Sequence, residues 1–159
     1  MATKAHLTVE DFVRLPESVG GRDVRYELVE GELVTVSPAV LPHNRVRDNV
    51  LVTLMGFLQD GKLGMVISLQ AFHLFGNTVR TPGVAFIRSG RDLAKDRPIE
   101  GAPDLAIEVV SPTNTSREID WRISDYFAAA GVTRRRADEL LEDAELLPGF
   151  SVKVASLFE

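Results

Sequence analysis

The chain has 159 residues, 45% hydrophobic and 26% charged, with a formal net charge of −5 and no cysteine. Its length suits one domain with a real core, the lack of cysteine excludes disulfides and thiolate zinc sites, and the acid excess argues against non-specific coating of nucleic acid while leaving room for a local phosphate site. The N-terminal segment "MATKAHLTVEDF" has no apolar core of signal-peptide length and no run approaches a membrane span, so a cytoplasmic chain without membrane contact is expected.

The first segment, "LTVEDFVRLPE", opens on a capping signal: Thr8 is followed three residues on by Asp11, and Phe12 and Leu15 give an apolar side. A short helix ending near Pro16 is expected. "VRYELVEGELVTVSP" alternates over two runs separated by Glu30-Gly31, which predicts a strand pair with a tight turn. In "PHNRVRDNVLVTLMGFLQDGKLG", Val46, Val50, Leu54 and Leu58 recur at four-residue spacing, which predicts an amphipathic helix from about Pro42, closed by Gly61.

"MVISLQAFHLFG" is rich in β-formers and ends on the turn signal Gly76-Asn77. It reads as one strand and "TVRTPGVAFIRS" as the next. After a polar connection comes "GAPDLAIEVVSP", apolar enough for the middle of a sheet over Pro103 to Ser111. "NTSREIDWRISDYFAAAG" predicts a second clear helix: Thr115 and Glu118 form a capping box, Ile119, Ile123 and Phe127 a stripe, and Gly131 the end. The remainder, from Val132, starts charged and could hold a short helix before Pro148. The order is helix, strand pair, helix, three strands, helix and tail, a mixed α/β or α+β domain around one sheet.

Glu108 is the anomaly of this pattern. An ionised carboxylate in so apolar a run is costly unless something pairs with it. It is either a site residue or half of a structural ion pair, with Arg122 as the partner. Arg122 sits at the border of the apolar stripe of its helix, where its head could reach the end of the sheet; alternatively it is an exposed residue paired with Asp125 or Glu118. Asp104 follows Pro103 and reads first as a strand-entry turn residue. It lies four residues before Glu108, roughly 13 Å along a strand, too far to share one ion directly. Glu27 could line the same cleft, although a half-exposed sheet acid is the simpler reading. His43 reads as a helix-start residue, His73 receives no role, and Arg134 to Arg136 read as a solvated helix start.

Three segments together resemble the Uma-two family: "VRYELVEGELVTVSP", His43 opening the long helix, and "GAPDLAIEVVSPTNTSREIDWRISDYFAAAGV". The ending "LLPGFSVKVASLF" is similar too. The resemblance implies a single domain over residues 1–159 with the PD-(D/E)XK restriction-endonuclease-like fold, a central mixed sheet flanked by helices. It implies Mg²⁺-dependent hydrolysis of DNA phosphodiesters, with an Asp from a Pro-Asp pair, a Glu from the Glu-Val-x-Ser-Pro strand and a Lys moved onto the following helix.

Here Glu108 matches the family Glu. Gly83 follows Pro82 where the family has Asp, Arg122 stands for the Lys, and Val110 supplies no charge. The family's late core strand and its hairpin are expected to be missing from a shortened segment 132–159. The site residues carried forward are Glu108, Arg122, Asp104 and Glu27, with Glu108 and Asp104 as metal ligands for a weakly held or absent Mg²⁺. DNA is a candidate partner and a homo-oligomer another. The expected function is an impaired or inactive endonuclease-like domain; an active enzyme with a rearranged site and a non-catalytic self-association module are the alternatives.

Overall fold

The computed structural model describes residues 6–16, 18–19, 22–36, 40–110, 116–129, 135 and 138–159. Helix α1 (Val9–Val13) carries the expected reciprocal cap: Asp11 N–H donates to the Thr8 hydroxyl oxygen and Thr8 N–H to the Asp11 carboxylate. Strands β1 (Ser18–Val19) and β2 (Arg22–Asp23) form a small antiparallel pair. Strands β3 (Arg25–Val29) and β4 (Glu32–Val36) pair in the expected register around Glu30 and Gly31. Both turn residues have positive φ, 50° and 83°, the twist that a two-residue hairpin turn requires.

Helix α2 (Leu41–Phe57) carries Pro42 in its first turn and has Leu58 as its C-cap. Of its four-residue stripe, Val50, Leu54 and Leu58 are buried. The next segment departs from expectation. The run read as one strand is two, β5 (Gly64–Ser68) and β6 (Phe72–Phe75), and its successor is also two, β7 (Thr78–Arg80) and β8 (Val84–Arg88). The two runs are the arms of one long hairpin about Gly76-Asn77, and both arms bend at the same level. There Leu69 N–H donates to Gly83 O at 3.3 Å, and Pro82 has no N–H to give to a ladder. Past the bend both arms leave one sheet and join another.

With β9 (Ile99–Glu100), which runs parallel to β6, the outer halves form a five-stranded sheet in the order β4-β3-β7-β6-β9. The inner halves pair with β10 (Leu105–Ile107) in a three-stranded sheet, β10-β8-β5. Strand β8 is buried on both faces. Its Val84 and Phe86 join Val50, Leu54, Leu147, Phe150 and Leu157 in one core cluster; its Ala85 and Ile87 join Phe72, Ile99 and Tyr126 in the other. Such a strand reads as a continuous apolar run, as "VAFI" does. α2 and the tail therefore cover one face, and helix α3 (Ser116–Ala129) supplies Tyr126 to the other.

Two further expectations are corrected. The stretch expected as a central strand from Pro103 to Ser111 is a strand only over Leu105–Ile107, and among the described residues it pairs with β8 alone, at the sheet edge. Its last residues, Ser111 and Pro112, lie outside the described residues, as do Thr115 and Gly131. Among its described residues the tail forms no helix before Pro148. Instead β11 (Leu140–Glu142) and β12 (Ser151–Lys153) pair antiparallel, a small hairpin where none was expected, followed by a 3₁₀ turn over Val154–Phe158. No described residue of the tail pairs with the open edge of β10.

Candidate active site at the hairpin bend

The bend between β7 and β8 sets two backbone N–H groups free of any ladder, and both point at carboxylates. Thr81 N–H donates to Glu27 Oε1 at 2.9 Å; Gly83 N–H donates to Glu108 Oε2 at 3.3 Å. Pro82 separates them. Glu27 comes from the middle of β3, Glu108 from the residue after β10. Two carboxylates from different sheets thus converge on one kink.

Helix α3 closes the arrangement from above. Arg122, Asp125 and Tyr126 stand at i, i+3 and i+4, one face of a helix. Arg122 Nη2 lies 2.9 Å from Glu27 Oε2, and its Nη1 donates to Glu108 Oε1 at 2.9 Å. The guanidinium therefore bridges the two carboxylates, one nitrogen to each. Tyr126 donates its hydroxyl to the same Glu108 oxygen at 3.3 Å. Deeper in, Arg80 Nη1 donates to Glu27 Oε2 at 2.8 Å and Arg80 Nε to Asp125 Oδ2 at 2.7 Å. The whole is one chain of charges: Asp125, Arg80, Glu27, Arg122, Glu108.

The electrostatics follow from this packing. Partial withdrawal from water pushes the Glu108 carboxyl above its usual range; Arg122 opposes this, and the nearby Glu27 charge adds to it. Burial works against the charge of Arg122, but Glu27 and Glu108 more than offset it and hold the guanidinium above its ordinary value. Burial, with the Glu108 and Glu27 charges, pushes the Tyr126 phenol well up, so it stays a donor at any working pH.

The sequence brought forward four site residues, and three of them meet. Glu27, expected as a half-exposed sheet acid, is fully buried. Glu108 and Arg122 form the ion pair that was one of the readings for each, and Asp125 pairs with Arg80 rather than with Arg122. Asp104 stays apart from this chain of charges: its carboxylate accepts from Arg88 N–H at 2.9 Å and lies 3.5 Å from Arg91 Nη1. This corrects its place as a co-ligand with Glu108. His43, in the first turn of α2, donates from Nε2 to Val109 O at 2.8 Å and so fixes the chain just past Glu108. His73 lies against Glu100 and Gly76 O. Arg80 and Tyr126 were missed. A lone Arg inside the buried run "TVR" was the available signal for the first, and the i+4 spacing from Arg122 for the second.

Glu108 and Arg122 of this network, with Tyr126, line a cleft of about 730 Å³ together with His43, Arg47, Gly83 and many apolar side chains. Its donor set does not fit Mg²⁺, which asks for several oxygen ligands in near-octahedral geometry. Gly83 offers no side-chain oxygen, the facing oxygens of Glu27 and Glu108 are held by a guanidinium, and no three acidic or imidazole groups among the described residues are placed to hold an ion.

Comparison with known proteins agrees with this fold. The Uma2 family model, described as "Putative restriction endonuclease", matches residues 9–134. The crystal structure of a "putative nuclease belonging to DUF820" from Anabaena variabilis ATCC 29413 is similar with a TM-score of 0.76, covering 96% of this chain and 97% of that one. At 14% identity the likeness shows the fold alone. No curated protein matches.

Proposed function

Because the chain belongs to the Uma2 family described as "Putative restriction endonuclease", we propose that it is a nuclease-like domain directed at DNA whose phosphodiester hydrolysis is lost or strongly reduced. The observation that carries this reading is Gly83. A Cβ at this position would lie 3.8 Å from Glu108 Oε2, so an aspartate there would set a second carboxylate beside Glu108. Glycine leaves the place without one.

Hydrolysis of a phosphodiester needs an activated water and a counter-charge for the phosphoryl oxygens. In restriction-endonuclease-like chemistry a divalent cation supplies both, and the residues present do not fit one. Arg122 provides charge but stays protonated at any working pH, so it cannot act as a base. Its two terminal nitrogens are already engaged by Glu27 and Glu108. A loss of about 4 kcal/mol of transition-state stabilisation lowers the rate about a thousandfold.

Plasmid nicking in Mg²⁺ and in Mn²⁺ tests the reading. Wild type should nick weakly or not at all. Gly83→Asp with Arg122→Lys should gain activity beyond the sum of the single changes, because both act on one transition state. The Asp must also settle against Ile107 O, 3.2 Å from the Cβ position, so folding of each variant is checked by circular dichroism. Robust nicking by wild type, abolished in Glu108→Ala, would overturn the reading.

A second reading, a non-catalytic self-association module, is favoured by one observation. Strand β10 offers an edge unpaired among the described residues, and such edges recruit other strands. Light scattering across a concentration series separates the two: a monomer at every concentration removes the second.

A further inference from the structure

We propose that Arg122 serves as a resident cation: its guanidinium fills the space between Glu27 and Glu108 and closes this site to divalent ions. The inference rests on the nuclease-like reading for what the site derives from, but not on whether the chain still cleaves DNA.

Two carboxylates converging on one kink repel each other unless a positive charge lies between them. Arg122 meets that need with one nitrogen at 2.9 Å from each, a planar fork suited to paired carboxylates. Its charge is permanent and tethered beside both carboxylates, so it loses none of the association entropy that a free ion would. A Mg²⁺ ion would have to give up part of a tightly held hydration shell and displace the guanidinium at once. Glu27 offers little freedom to reorganise, since it is also held by Arg80 and by Thr81 N–H. The same bridge, with the Arg80–Asp125 pair, fastens α3 to both sheets, so the helix docks without any metal. The chemistry that a metal would organise has thus become a structural lock made of the chain's own residues.

Manganese is the probe, because its paramagnetism reports proximity directly. Wild type in Mn²⁺ should show no selective broadening of the Arg122 and Tyr126 amide resonances and no Mn²⁺-dependent change in Tm. Arg122→Ala leaves Glu108 without its cation and Glu27 with Arg80 alone, and should take up one Mn²⁺ per chain, raising Tm. The double variant Arg122→Ala with Glu108→Gln should lose that uptake. If Arg122→Ala is unfolded without metal, Mn²⁺ should restore its circular dichroism; failure to do so overturns the proposal. A folded Arg122→Ala that binds no Mn²⁺, or a wild type whose site resonances broaden stoichiometrically, overturns it too. The two readings fail separately: wild type that binds the ion without nicking DNA sinks this inference alone, and wild type that nicks DNA without broadening at the site sinks the loss of activity alone.

Discussion

Glu27 and Glu108 share one guanidinium, yet they sit in contrasting surroundings. The Glu27 side chain is 1% exposed and its oxygens meet Arg80, Arg122 and the Thr81 amide. The Glu108 side chain is 31% exposed, and its backbone donor, Gly83 N–H, is at 3.3 Å. The deep carboxylate is held on every side and belongs to the scaffold. The shallow one faces the cleft, and its pKa is raised. Each carboxylate meets three donors, so depth alone separates the two acids along this single chain of charges.

The sharpest way to break this contrast is to remove one acid at a time. Glu27→Ala leaves the Arg80 head buried with half its partners gone. Breaking a buried pair from one side costs about 3–5 kcal/mol, and urea unfolding should show a loss of that size. Glu108→Ala should cost only about 1 kcal/mol, because water reaches the pair with Arg122 and screens it. Equal losses in the two variants would erase the distinction.

A smaller effect comes from pH. The folded pKa of Glu108 is raised, so its proton binds the native chain more tightly than the unfolded one. The stability it contributes is fully present below its ordinary value of 4.5 and is lost as pH rises through the raised folded value. Glu108→Gln removes that titration. The difference in urea midpoint between wild type and this variant should therefore change over the interval just above 4.5 and be flat beyond it. A constant difference throughout would mean that the carboxyl is ordinary.

The smallest effect belongs to a pair outside the site. His73 Nδ1 lies 2.9 Å from Glu100, whose side chain is 67% exposed. Glu100→Ala should change the unfolding midpoint by less than about 1 kcal/mol in equivalent free energy, as for exposed pairs generally. A larger loss would show that exposure is a poor guide to the worth of a charge in this protein.

What the residue order determined by itself was whatever local chemistry decides. The Thr8–Asp11 cap, the Glu30-Gly31 turn and the stripe of Val50, Leu54 and Leu58 are each specified within a few residues, and all are where the sequence placed them. The pairing of Glu108 with Arg122 was also within reach, because a charge in an apolar run demands a partner. Tertiary structure alone decided the rest. The bend that splits one hairpin between two sheets depends on both arms kinking together, and Pro82 marks only one of them. The depth of Glu27 depends on β7 bringing Arg80 beside it and on α3 covering it, contacts 53 and 95 residues away along the chain. The edge position of β10 depends on which strands reach it, β8 alone among the described residues, and the hairpin of the tail on two three-residue strands too short to show a period. Local pattern fixes which elements form; burial and the meeting of distant charges are settled only when those elements pack.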